Sequence, residues 1–258
     1  MTAPLAGITL VVTRPAAQAG HFIELARAAG AACVAFPTLE IEPLAADAAT
    51  LARVREGGWN WAIFTSTNAV ECGGPALAAT TAAHLAAVGR ATARALEARG
   101  RRVDARPESA NSEGLLALPE FAQVAGERIL VVKGSGGRDL LRRELVARGA
   151  DVLEFEVYRR SPAAPDAAAR QDLRHALATS GAWVAVTSAE VLEALLQLVA
   201  ADERPALLES ALLVPGERVA AVARRLGWRG PVVTAPTAED ATMLEALRLH
   251  LEGRPATP

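Results

Sequence analysis

Little in this 258-residue chain is aromatic: Phe, Trp and Tyr make up 4% of it, and there is a single tyrosine. A core short of large rings must close through small-residue contacts, and the 51% hydrophobic fraction, rich in alanine, is ample for that. Cysteine is scarcer still. Cys33 and Cys72 are too few and too far apart for a metal site or a redox CxxC pair, so a reduced, cytoplasmic setting is expected. No apolar run reaches the ~18–20 residues of a membrane helix. The opening MTAPLAGITLVV has neither the basic start nor the long apolar stretch of a signal peptide. Lys and Arg number 27 against 29 Asp and Glu, a net charge of −2, and no basic block or stripe occurs. That balance argues against nucleic acid as a partner.

Several catalytic fingerprints are missing as well. Lys133–Asp139 (KGSGGRD) gives Gly134-x-Gly136, but the third glycine of a dinucleotide-binding GxGxxG would fall on Asp139. No phosphate-binding GxxxxGK[ST] exists, and no GxSxG nucleophile elbow. His21, His84, His175 and His250 are read on helices or in loops, away from strand ends, so none is offered as a general base.

What is present is a repeat. Gly7–Pro43 (GITLVVTRP…EIEP) returns as Gly126–Pro162 (GERILVVKGSGG…YRRSP), and the stretch from Trp61 (WAIFTSTNAV) returns from Trp183 (WVAVTSAEVL). The order is A-B-A-B. Each piece reads as strand, turn, helix, strand. Ile8–Thr13, Trp61–Thr65, Arg128–Lys133 and Trp183–Thr187 are continuous apolar runs of the kind buried on both faces of a parallel sheet. Helices are expected over Ala16–Ala29, from Thr67-Asn68, over Glu113–Phe121 with Asn111 or Ser112 as cap, over Arg138–Arg148 and Asp172–Thr179, and over Asp240–Leu251 with Thr237 as cap. Val103–Ala105 reads as a short strand. Strand and helix alternate throughout, so the fold class is α/β with parallel sheets. Duplication points to two similar lobes facing one another across a cleft, with ligands at the carboxyl ends of the strands.

The residues at those ends are small and polar. Thr13-Arg14, Thr65-Ser66, Gly89–Thr92, Lys133–Gly137 (which includes Gly134 and Ser135) and Thr187-Ser188 each follow a buried strand. Any one of them is explained by ordinary turn and cap chemistry. Five in one chain describe helix N-termini and hydroxyls suited to an anionic ligand. Arg14, Lys133 and Arg138 add positive charge to the same rim, or serve as solvated surface residues. Tyr158 lies between an A and a B piece, outside a strand core. It reads equally as a hinge anchor with its hydroxyl in water or as a proton donor.

Taken together, VVTRP (Val11–Pro15), FTSTNAV (Phe64–Val70), VGRATA (Val88–Ala93), SEGLL (Ser112–Leu116), KGSGGRDLL (Lys133–Leu141), VYRR (Val157–Arg160) and VTSAEVLEAL (Val186–Leu195) resemble the uroporphyrinogen-III synthase family over nearly the whole chain. The resemblance implies a crossed repeat. Residues 1–36 with 163–258 would form one lobe and 44–155 the other, joined by connectors 37–43 and 156–162 paired as a short antiparallel ladder. Sequence alone would have divided the chain near Ala125.

The resemblance also implies a reaction. The linear octacarboxylate hydroxymethylbilane closes to uroporphyrinogen III with loss of water and inversion of ring D, in the biosynthesis of haem, sirohaem and cobalamin. That is a hydro-lyase cyclisation without cofactor or metal. The pyrrole nitrogen pushes the hydroxyl out, so the protein's part is positioning with modest acid help. Tyr158 matches the family's proposed proton donor. Thr92 matches the threonine of its Gly-x-x-Thr-Ala turn, and Thr65-Ser66 and Thr187-Ser188 match its Thr-Ser pairs. In the second copy that turn reads Gly216-Glu217-Arg218-Val219-Ala220, with valine for threonine and an acidic residue beside it. A monomer is expected, with handover of substrate from hydroxymethylbilane synthase. The alternative is a non-enzymatic two-lobed receptor for a small polyanion, which the same strand ends would serve.

Overall fold

Each apolar run forms a strand because side chains on both of its faces find apolar partners in the helices that follow and precede it. The computed structural model describes residues 3–79, 84–137, 139–179 and 181–253. The strands are β1 (Thr9–Val12), β2 (Ala32–Ala35), β3 (Leu39–Pro43), β4 (Trp61–Phe64), β5 (His84–Ala87), β6 (Arg128–Gly134), β7 (Asp151–Pro162), β8 (Ala182–Ala185), β9 (Ala211–Pro215) and β10 (Val232–Ala235). They form two five-stranded sheets, ordered β10-β9-β8-β1-β2 and β3-β7-β6-β4-β5. The chain divides into two units, Met1–Glu40 with Ser161–Pro258, and Ile41–Arg160.

In the discontinuous unit every named pair is parallel, with Val11 opposite Val34 on β2 and Val184 on β8. The first A piece therefore shares a sheet with the last B piece, which is the crossing of the repeat. One face of the sheet packs Val11, Phe36, Val184 and Leu212 with the helix Ala189–Leu198. The other packs Leu10, Val12, Phe22 and Trp183 with the helices Ala16–Ala28 and Asp240–Leu251.

In the continuous unit β4 pairs in parallel with β5 and β6, and β6 with β7. Alternation along β4 sends Ala62 and Phe64 to one core and Trp61 and Ile63 to the other. Leu44 N–H donates to the Val157 carbonyl (2.9 Å) and Ala163 N–H to the Thr38 carbonyl (3.0 Å). Residue numbers rise along one strand as they fall along the other, so β3 runs antiparallel to β7.

Several local expectations change. β7 continues without a break through Glu156–Pro162, and Tyr158 belongs to it, buried in the core with only 1% of its surface exposed. The expected helix Glu113–Phe121 is two pieces, Ser112–Leu116 and a 3-10 turn Pro119–Phe121, because Pro119 has no N–H to continue the ladder. Asn111 is its cap, accepting from Gly114 N–H at 2.7 Å. The helix expected from Asp172 starts at Ala167, where Asp166 caps it by accepting from Ala169 N–H. Thr237 does not cap the last helix, whose N-cap is Glu239. Val103–Ala105 makes only an isolated bridge, Ala86 to Ala105. His84 opens β5 at its amino end, its ring tilted against Trp61 with centroids 5.0 Å apart, rather than lying in a helix or loop. Arg138 lies outside the described residues. Among the described residues no helix is long and apolar enough to cross a membrane.

Candidate active site

Right-handed crossovers that leave adjacent strands in opposite directions cover opposite faces of a sheet, and the gap where they part is open at the carboxyl ends. In the continuous unit the order β7-β6-β4-β5 puts that gap between β4 and β6. Both turns at this point are built from small polar residues. Thr65 follows β4 and donates its N–H (3.1 Å) and its hydroxyl (3.3 Å) to the Val132 carbonyl of β6. Ser66 is the N-cap of the helix Thr67–Cys72, its Oγ accepting from Ala69 N–H at 3.1 Å. Across the gap β6 ends in Lys133-Gly134 and runs into the exposed Ser135-Gly136-Gly137 turn. A cavity of about 200 Å³ opens here, lined among others by Ser66, Lys133, Gly134, Glu154, Tyr158 and Arg160.

Tyr158 reaches this cavity through an irregularity in the sheet. Lys133 pairs with Glu156 but the next residue, Gly134, pairs with Tyr158, so Val157 is an extra residue on β7. A bulge breaks the in-out alternation, and the consecutive Val157 and Tyr158 both join the same core. The ring then lies directly over Gly134. A Cβ at Gly134 would stand 2.5 Å from Tyr158 Cζ and 2.9 Å from its hydroxyl oxygen, so only glycine admits the ring. Ser135 N–H donates to the Tyr158 carbonyl at 2.7 Å, which fixes the turn to the bulge. The phenol oxygen is 3.0 Å from Ser66 Oγ and accepts from Arg160 Nη2 at 3.1 Å. The guanidinium carbon of Arg160 sits 5.5 Å from the Tyr158 ring centroid. The hydroxyl thus ends on protein partners at the cavity wall, which the reading of a hinge anchor solvated by water does not describe.

The charged residues lining the cavity are Lys133, Arg160 and Glu154. Lys133 Nζ pairs with Glu154 Oε1 at 3.0 Å, with the lysine side chain only 13% exposed. Gly136 N–H donates to Glu156 Oε1 at 3.3 Å. A ligand carboxylate reaching Lys133 has to share it with, or displace, Glu154. The thiols of Cys33 and Cys72 are both pushed up chiefly by burial, which makes them poor nucleophiles at neutral pH.

The other residues singled out by sequence are dispersed. Thr92 is in the first turn of the helix Arg90–Glu97, buried, at the carboxyl end of β5; its N-cap Gly89 offers no side chain to the first-turn amides. In the discontinuous unit Thr13 is wholly buried, its hydroxyl donating to the Ala185 carbonyl at 2.7 Å across β1 and β8. Arg14 pairs with Asp240, donates to the Ala238 carbonyl at 3.0 Å and lies over the Phe22 ring. Ser188 caps the helix Ala189–Leu198 by accepting from Val191 N–H at 3.2 Å, and Thr187 is half-buried beside it. At Glu217 the carboxylate accepts from the Thr234 hydroxyl at 3.3 Å. Glu154 and Arg160 were not singled out by sequence. Their signal was there: charged residues set within a strand (LEFEVYRR) otherwise apolar on alternate positions.

The family profile described as uroporphyrinogen-III synthase HemD matches residues 20–245. The uroporphyrinogen-III synthase of Salmonella typhimurium is 33% identical over 93% of this chain and 100% of its own length. That of Escherichia coli K12 is 38% identical over 63% of this chain and 65% of its own. Among solved structures, a mutant uroporphyrinogen III synthase from the extreme thermophile Thermus thermophilus superposes with a TM-score of 0.63 at 21% identity, covering 96% of this chain and 100% of that one, a likeness of fold. The profile takes in strands from both sheets and every described residue of the Tyr158 cavity, and on that match this chain belongs to the uroporphyrinogen-III synthase family.

Proposed function

We propose that this chain is a working uroporphyrinogen-III synthase, a hydro-lyase that closes the linear tetrapyrrole hydroxymethylbilane to uroporphyrinogen III with inversion of ring D. Family membership places the chain in tetrapyrrole biosynthesis. The observation that carries the further step is the Tyr158 hydroxyl, held on Ser66 and Arg160 at the wall of the cavity where β4 and β6 part. Loss of hydroxyl from a hydroxymethylpyrrole is driven by the ring nitrogen, so a phenol in hydrogen-bond reach is acid enough to assist. The rest of the catalysis is the holding of a flexible chain in a coiled shape. A cavity of about 200 Å³ is smaller than the ~300–1,000 Å³ pockets of whole drug-sized ligands, so it grips the reacting end and leaves the remaining carboxylates to other strand ends.

In the same unit those ends supply hydroxyls and amides at Thr65, Thr92 and Ser135, with Lys133 as a cation; Arg14 and Thr187-Ser188 stand at the equivalent strand ends of the other unit. Thr13, buried on Ala185, supports the Thr13-Arg14 turn rather than offering its hydroxyl to a ligand. We read the enzyme as a cytoplasmic monomer that receives its substrate from hydroxymethylbilane synthase. Mixing the purified chain with excess hydroxymethylbilane tests the reading. Many type III product molecules per chain are expected. Stoichiometric binding with only the spontaneous type I product would favour the alternative, a non-enzymatic polyanion receptor.

A further inference from the structure

Counting protons around Tyr158 identifies which of them can leave. Arg160 has donors only, so its Nη2 contact at 3.1 Å makes the phenol oxygen an acceptor there. Ala69 N–H likewise makes Ser66 Oγ an acceptor. Two arrangements of the 3.0 Å contact between Ser66 and Tyr158 remain. If Ser66 donates, the phenol proton has no acceptor among the described residues and is left to the cavity alone, on a side chain only 1% exposed. Leaving a buried donor unpaired is costly. If Tyr158 donates, every group is satisfied except the Ser66 hydroxyl proton. That proton sits on a half-buried residue that lines the cavity.

We infer that Ser66 is the residue that hands the proton to the leaving hydroxyl, that Tyr158 resupplies Ser66, and that Arg160 is the positioning residue that forces the phenol to donate toward Ser66. The inference rests on the function proposed above. The Ser66 Oγ–H proton moves to the substrate hydroxyl oxygen, the carbon–oxygen bond breaks with its electron pair, and water departs. Ser66 takes the Tyr158 proton at the same time, leaving a phenolate against the Arg160 guanidinium. The proton released when the last ring regains aromaticity returns to that phenolate, so the enzyme ends as it began and one water is lost.

The relay is tested in single turnover on hydroxymethylbilane, with KM from steady state. Ser66→Asn keeps a good N-cap but removes the hydroxyl; Ser66→Thr keeps both. We expect Ser66→Asn and Tyr158→Phe each to slow the chemical step by about 10²-fold or more with KM little changed, and Ser66→Thr to restore most of it. Arg160→Met should slow it and Arg160→Lys recover part. In mixed H2O and D2O the wild-type rate should fall along a curve, as for two protons in flight, and along a straight line in Ser66→Asn. Wild-type speed in Ser66→Asn, equal losses in Ser66→Asn and Ser66→Thr, or a linear wild-type isotope plot would overturn the relay. Should Ser66→Asn not fold, the wild-type isotope plot and the Arg160 pair still decide. A wild type that makes no type III product fails the proposed function instead, which is a separate outcome.

Discussion

Gly134 and Tyr158 form a matched pair, one residue giving the space that the other fills. With Tyr158 Cζ 2.5 Å from where a Cβ would be, Gly134→Ala has to push the ring off its place on β6. The phenol oxygen then leaves Ser66 and Arg160. We expect turnover to fall at least tenfold with the fold intact, since misplacing a reacting group by about 1 Å is that costly. The chain has one tyrosine, so a ring-labelled sample gives one signal, and its shift in Gly134→Ala reads the displacement directly. Unchanged shift and unchanged rate would mean that ring position is irrelevant. Lys133 is the companion case. Lys133→Ala should weaken substrate binding by ~1–2 kcal/mol, while the pairing of Lys133 with Glu154 at 3.0 Å competes with the ligand. Glu154→Gln, which releases the lysine, should tighten binding, and titration calorimetry at low salt separates the two directions. Arg14 differs: it is engaged by Asp240, Ala238 and Phe22, so Arg14→Ala should lower the melting temperature as well as any affinity.

At the scale of elements, the Thr-Ser turns have a dual use. Ser66 and Ser188 each accept a first-turn N–H of the helix they open, and loss of such a cap costs ~1 kcal/mol. Ser188→Ala should therefore lower stability by about that amount in denaturant titration, whatever its effect on binding. Asp47 caps the helix Ala48–Glu56, and hydrogen bonds from Thr50 hold its carboxyl below the ordinary value. A carboxyl lowered on folding contributes above its unfolded value and stops contributing as pH falls through its folded one. That helix should loosen selectively in acid, and Asp47→Asn should flatten the dependence; amide exchange along Ala48–Glu56 checks both.

Strands were legible in sequence because burial on two faces leaves an unbroken apolar run, as in WAIF and ILVV. The helix Ala48–Glu56 was not, because only Val54 on it is buried and its face carries little apolar signal. The Thr-Ser and Gly-rich segments fall on the turns after β4, β8 and β6, whereas VYRR falls inside β7. The bulge that seats Tyr158 was invisible, since it depends on register against β6 and not on the local pattern of β7.

For the whole molecule, each unit carries its own pair of cores. The clusters on the two faces of the β3-β7-β6-β4-β5 sheet draw only on residues between Ile41 and Tyr158. The clusters of the other sheet draw only on residues up to Leu39 and beyond Ser161. A fragment covering residues 39–162 should consequently fold alone with a cooperative melt. The remaining two pieces should fold only when both are present, because β1 needs β8 beside it. Calorimetry on the fragment and on the mixed pieces tests this, and a fragment without a cooperative transition would contradict it.

We propose that the Tyr158 cavity of the continuous unit carries a cyclisation steered toward the inverted isomer. The most direct measurement is the yield of type III and type I uroporphyrinogen from hydroxymethylbilane, for the wild-type chain and Tyr158→Phe side by side. Type III product is expected from both, with Tyr158→Phe slower by ~10²-fold or more, since proton supply sets the rate and the shape of the site sets the isomer. Type I product alone from the wild type, or a Tyr158→Phe variant as fast as wild type, would contradict it.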